Sequence, residues 1–272
     1  MVARKLIRLL VAACTLLALS GVAAQPAEYA PAEGQPGKDV IWEPTPDAAV
    51  ERMLRMARTT GEDYVVDLGA GDGRIVIAAA RDFGARASGV EYDAKLAALA
   101  QSRVLKAGLA ARARVVQGDL FEFDISKATV VTMFLLPELN LRLRERLLAM
   151  PPGTRVVSHE FDMGDWEPDE RAKAANVDLF LWVVPARVDG DWEFRFVDDK
   201  RDETRPIRLV QKYQRVQGDL GNARLEGSSI SFTFFSTNGV RMRCKGLVQG
   251  GRMEGDYAAG GSRAGRWTAV RK

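Results

Sequence analysis

The 272-residue chain has one histidine and two cysteines. One of them, Cys14, lies inside an apolar N-terminal run, so only Cys244 would remain if that run were removed, and no internal disulfide could then form. Cys244 itself reads as a small buried hydrophobe in a strand. No apolar run reaches the roughly twenty residues a helix needs to cross a bilayer. A charge surplus of functional size is also missing. Residues 1–24 contain three basic residues (Arg4, Lys5 and Arg8) and no acidic ones. Taking these three from the 39 Lys and Arg leaves 36, matching the 36 Asp and Glu. The basic pI is therefore largely a property of the N-terminus and is no reason to expect a nucleic-acid partner.

That N-terminus has the form of an export signal. Arg4, Lys5 and Arg8 precede an apolar core from Leu9 to Leu19, and Val22-Ala23-Ala24 supplies a small-residue cleavage site before Gln25. Residues 1–24 are expected to be a signal peptide and the mature chain to be periplasmic or secreted; the alternative is a membrane-anchored protein. Val11-Ala12-Ala13-Cys14 also resembles a lipoprotein signal, although the chain stays apolar past Cys14. Membrane contact is thus expected only through an uncleaved or lipidated N-terminus. Residues 25–39, rich in Pro, Ala and Gly and without periodicity, read as a flexible leader. Strands alternate with helices over residues 40–187, whereas residues 188–272 hold only short β-like runs broken by Gly. The expected organisation is an α/β domain followed by a small antiparallel β domain.

The most informative stretch is Val65-Val66-Asp67-Leu68-Gly69-Ala70-Gly71-Asp72-Gly73-Arg74. An apolar strand stops in a glycine turn, the backbone can approach a ligand there, and Ile75 to Ala80 open a helix. A dinucleotide fingerprint would need its third glycine where Arg74 stands. The second strand, Ala87 to Glu91, ends in a carboxylate about twenty residues past the glycines, the place from which an acid reaches ribose hydroxyls. A third strand, Arg114 to Gln117, runs into Gly118-Asp119-Leu120-Phe121.

Asp67 with Gly69, Gly71 and Gly73 resembles the first motif of class I S-adenosylmethionine (AdoMet)-dependent methyltransferases. That resemblance implies a Rossmann-like sheet and AdoMet as cofactor, with Glu91 on the ribose, Asp119 beside the adenine amino group and Leu120 beside the ring. Glu43-Pro44-Thr45-Pro46, Asp67 to Arg74, Phe134 to Asn140 and Ser158 to Trp166 together resemble small methyltransferases related to mitochondrial protein-lysine methyltransferases. This second resemblance covers about Val40 to Pro185 and implies an amine acceptor on a protein or small molecule. The Asn-Pro-Pro-aromatic signature of DNA-base and glutamine methylating branches is absent. Because those relatives work in mitochondria or other cytosol-like compartments, the export signal is a departure, and a methyltransferase-like scaffold without catalysis is the rival reading.

Several local expectations follow. Thr45 can cap a helix with Pro46 at its first position and Ala49, Val50, Met53, Leu54 and Ala57 as its apolar stripe. Further helices follow Asp93 and run from Pro137 to Met150, with Arg142, Arg144 and Arg146 on a solvated surface. Strand four, Thr129 to Leu135, leads to the turn that should face donor and acceptor. A lysine acceptor must lose a proton, for which Glu138 and His159 are the candidates, His159 reading equally as a hydrogen-bonded strand-end histidine. Glu160, Asp162, Asp165 and Trp166 suit a cationic acceptor or form a plain acidic loop. Methyl transfer requires no metal.

In the β domain, Trp192 to Phe196, Ile207 to Val216, Ile230 to Phe235, Val240 to Val248 and Arg266 to Val270 read as strands of a sandwich or partly closed barrel, with Trp192 and Trp267 as core anchors. Asn238-Gly239 marks a hairpin whose apolar register requires a bulge or a loop longer than two residues. Asp198 to Arg205 reads as a charged loop, and Leu179 to Val184 could pair with Trp192 to Phe196. Mass spectrometry of the protein from its native cell is expected to find Gln25 as the first residue, outside the cytoplasm. An intact Met1 or Val2 terminus in the cytosolic fraction would overturn the export reading.

Overall fold

The computed structural model describes residues 29–38, 41–199, 201–260 and 262–272, without the side chains of 262–264. The export signal and Cys14 lie outside the described residues. The first part runs α1 (Asp47–Met56), β1 (Tyr64–Leu68), α2 (Arg74–Asp82), β2 (Arg86–Glu91), α3 (Ala94–Lys106), β3 (Ala113–Gln117), β4 (Val130–Met133), α4 (Pro137–Leu148), β5 (Arg155–His159), β6 (Glu170–Ala174) and β7 (Val177–Val183). Its seven strands form one sheet in the order β3-β2-β1-β4-β5-β7-β6. β1 to β5 are parallel, and β7 is antiparallel to both β5 and β6.

The central strands are buried on both faces, which explains their near-continuous apolar runs. α1, α2 and α3 cover one face through Met53, Leu54, Val76, Ala79 and Ala100. α4 covers the other through Leu139, Leu143 and Leu147, together with Trp166 and Trp182. Trp166 is fully buried. Its ring lies 6.0 Å from Trp182 and 6.0 Å from Tyr213, and its carbonyl accepts from Trp182 Nε1 at 2.7 Å. Trp166 is therefore a core residue and not part of an acceptor surface: the apolar underside of the sheet beside α4 needed a large side chain, and the acids around it stay outside.

The second part contains β8 (Gly190–Asp198), β9 (Arg201–Lys212), β10 (Arg215–Gln217), β11 (Gly221–Glu226), β12 (Ser229–Phe235), β13 (Arg241–Gln249), β14 (Arg252–Ala259) and β15 (Ser262–Arg271). These close into an eight-stranded barrel, fully rather than partly. Trp192, Phe194, Phe196, Phe232, Phe234, Tyr257 and Trp267 fill the interior, with Phe196 and Phe234 stacked at 4.1 Å and Phe232 edge-on to Trp267 at 4.8 Å. Cys244 belongs to this core, and burial pushes its thiol up to about 12. β12 and β13 are joined by Ser236 to Val240, a loop longer than two residues, so Phe232 and Phe234 oppose Cys244 and Met242.

Two readings of the chain are corrected here. Asp198 to Arg205 is not a loop, since Asp198 pairs with Arg201 and β9 starts there, its charges standing outside the barrel in pairs such as Arg195 with Asp202 at 2.6 Å. Leu179 to Val183 pairs with β5, whereas Trp192 to Phe196 pairs with β9 and β15. The two segments do not meet, because the chain leaves the foot of the sheet and enters a second closed hydrogen-bond system. The expected domain boundary after residue 187 falls in this connection. The barrel rests on the loop before β6: Tyr213 Oη donates to Asp165 at 2.9 Å, Gln214 Nε2 to the Glu167 carbonyl at 2.7 Å, and Arg224 pairs with Asp169 at 2.6 Å. Among the described residues no helix is long and apolar enough to cross a membrane.

Trp166→Ala should lower stability by about 3–5 kcal/mol, as for other large core truncations. Urea unfolding measures this. Unchanged stability with a selective loss of turnover would return Trp166 to the acceptor side.

Candidate active site

A cavity opens at the carboxyl ends of β1, β2 and β4, where the strand order reverses between β1 and β4. This is the place where open parallel sheets bind ligands. Its floor is the glycine turn. Gly69 and Ala70 N–H both donate to the Val90 carbonyl, at 3.0 and 2.9 Å, and Gly71 N–H donates to Glu91 Oε2 at 2.9 Å. The other Glu91 oxygen accepts from Asp93 N–H at 2.9 Å, and the Asp93 side chain caps α3 by accepting from Lys95 and Leu96 N–H. One carboxylate thus joins the turn after β1 to the start of α3.

Gly71 has φ +52°, and a Cβ there would stand 2.9 Å from Trp42 Nε1. Gly73, at φ +82°, does not line the cavity: it precedes α2, and a Cβ would come within 3.0 Å of Ala100 Cβ. Its smallness serves the packing of α2 on α3. Asp67 is buried and accepts from Thr132 Oγ1 at 2.7 Å, tying β1 to β4. Burial, with Glu91 and Asp72 nearby, pushes its carboxyl up to about 7. Burial also opposes ionisation of Asp72, but Arg74 at 2.8 Å and Arg103 at 2.5 Å outweigh it and hold that carboxyl below its ordinary range.

Asp119 and Leu120 line the wall after β3. Asp119 accepts from Lys38 Nζ at 2.8 Å and Phe121 N–H at 2.9 Å, which keeps its carboxyl below the usual range. Arg146 donates to the carbonyls of Leu120 and Phe121 at 2.9 Å each, and Arg142 lies 3.9 Å over the Phe121 ring. Arg142 is exposed, as expected of a solvated surface, whereas Arg146 holds this wall in place and Arg144 bonds the Met163 carbonyl and Asp165. Carbonyls left open by a loop are good guanidinium acceptors, and loop positions are invisible to helical periodicity.

The roof comes from the segment read as a flexible leader. Gly34 N–H donates to the Trp42 carbonyl and Trp42 N–H to the Gln35 carbonyl, both at 2.9 Å, making a tight strap. Gln35, Lys38 and Trp42 line the cavity, and Lys38 Nζ sits 4.4 Å from the Tyr92 ring centroid. Its order comes from contacts with Asp119, Tyr92 and the glycine turn, all distant in sequence, so local composition could not disclose it. An aromatic residue directly after Glu91 was the one available signal for Tyr92.

Thr45 does not cap α1. Pro46 occupies the N-cap and Asp47 is the first helical residue, while Thr45 Oγ1 shares a hydrogen bond with His159 Nδ1 at 3.0 Å. His159 is buried, its ring 3.8 Å from Phe134, and its Nε2 has no partner among the described residues. Desolvation lowers its pKa against a small opposing effect of Glu160. Thr45 and Phe134 line the cavity, but His159 does not, standing behind them. Glu138 is exposed in the first turn of α4 and is also outside the lining, since the helix turns it away from Leu135 and Leu139. Glu43, which the sequence offered only as part of a family motif and not as a proton acceptor, lines the cavity.

The ANTKMT methyltransferase domain family matches residues 67–170. A protein-lysine N-methyltransferase from Saccharolobus islandicus is 46% identical over 151 residues, covering 53% of this chain and 94% of that protein. The chain belongs to the class I AdoMet-dependent methyltransferases. It is related to the mitochondrial lysine methyltransferases: the mouse adenine nucleotide translocase lysine N-methyltransferase is 37% identical over 120 residues, 44% of this chain and 52% of that protein. The match thus spans about half of the mouse relative. The crystal structure of an RNA methyltransferase from Salinibacter ruber with S-adenosyl-L-homocysteine is 48% identical, with a TM-score of 0.53, over 54% of this chain and 96% of that one.

The methyltransferase uses AdoMet, and its cavity fits that group on its own geometry. Glu91 is fixed by two backbone N–H groups yet faces the cavity, the Gly71 backbone is free of a side chain, and Asp67 and Asp119 add acids to balance a cationic ligand. The raised Asp67 pKa has a stability consequence. The folded state keeps a proton that the unfolded chain loses near pH 4, so this group's contribution is full below that and is lost as pH rises through about 7. Asp67→Asn should therefore be more stable than the parent at pH 8, by on the order of 2–4 kcal/mol, with the difference closing toward pH 4. Urea unfolding across pH checks it, and a pH-independent difference would contradict the assignment.

Proposed function

We propose that this methyltransferase transfers the AdoMet methyl group to the amine of a protein lysine or a small molecule. The observation that carries this reading is the anchored Glu91 carboxylate in a cavity that Trp42, Glu43, Tyr92 and Phe134 also line, aromatic and acidic residues suited to cations. The relatives named for lysine methylation support it. AdoMet supplies an electrophilic methyl group on a sulfonium centre. The chain's part is to hold both reactants in line and leave the acceptor nitrogen unprotonated.

Glu91 would hold the ribose hydroxyls with the lone pairs not taken by Gly71 and Asp93. Asp119 would accept from the adenine amino group once Lys38 releases it, and Leu120 and Tyr92 would flank the ring. Gly69 and Gly71 would bring backbone close to the ligand, and Asp67, protonated up to about pH 7 in the free protein, would give up that proton to balance the ligand's positive charge. Gly73 would act only through the placement of α2. For the acceptor, Glu43 replaces Glu138 and His159 as the proton-accepting candidate, because it lines the cavity and they do not. His159 would position Thr45. A second reading, an RNA acceptor, is favoured by the identity to the Salinibacter enzyme.

Glu91→Ala should weaken AdoMet binding by about 2–3 kcal/mol. Glu43→Gln should leave that binding nearly unchanged and lower turnover about 100-fold, with a rate that rises with pH as the acceptor deprotonates. Calorimetry and labelled-methyl transfer to extracts measure both. Label released by acid hydrolysis as methylated lysine supports the proposal, label released by ribonuclease selects RNA, and label only on carboxyl, hydroxyl or thiol groups of protein rejects the amine.

A further inference from the structure

Overall charge balance conceals an uneven distribution. Residues 25–187 hold 20 Lys and Arg against 25 Asp and Glu, while residues 188–272 hold 16 against 11. The surplus has a definite location. From Gly227 to Met253 the sequence has Arg241, Arg243, Lys245 and Arg252 and no acidic residue. This stretch is the β12–β13 hairpin and the turn into β14. Phe235 pairs with Arg241, Thr233 with Arg243 and Ser231 with Lys245, all exposed except the buried Thr233, while Phe232, Phe234, Met242 and Cys244 fill the interior.

The same hairpin exposes three apolar side chains, Phe235 at 56%, Val240 at 39% and Leu247 at 49%. Among the described residues the side chains of Arg241, Arg243 and Lys245 form no ion pair. The bordering carboxylates are Asp256 across from Lys245, Glu254 across from Leu247 and held by Arg252 at 2.9 Å, Glu226 across from Ser229, and Glu203, which accepts from Thr237 at 2.8 Å. The Ser236–Val240 turn is at the barrel end away from the methyltransferase sheet. At the other end, Gly227 accepts from Ala186 N–H at 2.8 Å and Gly250 lies beside Pro151 and Pro185.

We propose that this hairpin is a docking surface for an anionic lipid bilayer. Headgroup phosphates would take Arg241, Arg243 and Lys245, and Phe235, Val240 and Leu247 would enter the interfacial zone. The exposed valine and leucine select lipid over a nucleic-acid strand, which could use the cations and the Phe235 ring but offers aliphatic side chains nothing. This surface is separate from the N-terminus, where the sequence alone places membrane contact.

The test is co-sedimentation of the chain from Gln25, which contains every described residue, with vesicles of equimolar phosphatidylglycerol and phosphatidylcholine and with phosphatidylcholine alone. Binding should require the anionic lipid and weaken with salt. Replacing Arg241, Arg243 and Lys245 together by Gln should reduce partitioning on the order of 100-fold, at roughly fivefold per cation. Phe235→Ser should weaken it severalfold even in high salt. Both variants change exposed side chains and should keep the parent's melting temperature and AdoMet affinity. No binding to anionic vesicles, equal binding by the triple variant, or binding of single-stranded RNA without vesicle binding would each overturn the proposal.

Discussion

The carboxylate of Glu91 is the constraint around which the site is organised. The glycine turn after β1 has no side chain with which to hold itself, and its residues adopt backbone conformations that other residues resist. Glu91 accepts from Gly71 on one oxygen and Asp93 on the other, joining the turn, the end of β2 and the start of α3. Asp67 performs a related task one strand away, bridging β1 to β4 through Thr132. Because the two acids are close and Asp67 is buried, the geometry that supports the turn also raises a proton affinity inside the sheet.

Opposite this floor stands a roof whose position depends on contacts made elsewhere. The strap is closed by its own hydrogen bonds between Gly34, Gln35 and Trp42, but Lys38 on Asp119 and Trp42 over Gly71 give it a place. Lys38 occupies the carboxylate to which the family resemblance assigns the adenine amino group, so an adenine bound there would have to displace Lys38 from Asp119. Arg146 stabilises the same wall from α4. In the proposed reaction the acceptor would meet this roof through Glu43 and Trp42, with His159 standing behind Thr45.

The barrel has a different physical basis. Its interior is a stack of aromatic side chains and its closure removes free strand edges, so its outer surface can carry charge and exposed apolar groups without cost to its core. Contacts at Asp165, Glu167 and Asp169 fix it to the side and foot of the sheet. The cavity lies at the strands' carboxyl ends and the basic hairpin points away from the sheet.

From the sequence alone, Asp67, the glycines, Glu91 and Asp119 in order implied the cofactor through their resemblance to the methyltransferase motif, and indicated the parallel sheet and the side of it that carries the site. Short β-like runs broken by Gly likewise indicated a β domain after Pro185, and the mismatch around Asn238-Gly239 called for a bulge or a longer loop, of which the structure has the loop. These features are local: a strand, a turn and a helix start are legible within about a dozen residues. Tertiary structure alone decided that Gly73 serves helix packing, that Trp166 is core, that Glu138 faces outward, and that residues 35–38 and 41–42 cover the cavity. Each depends on which distant surface the residue meets, as Gly73 meets Ala100 and Lys38 meets Asp119, and no periodicity within the chain encodes such a meeting.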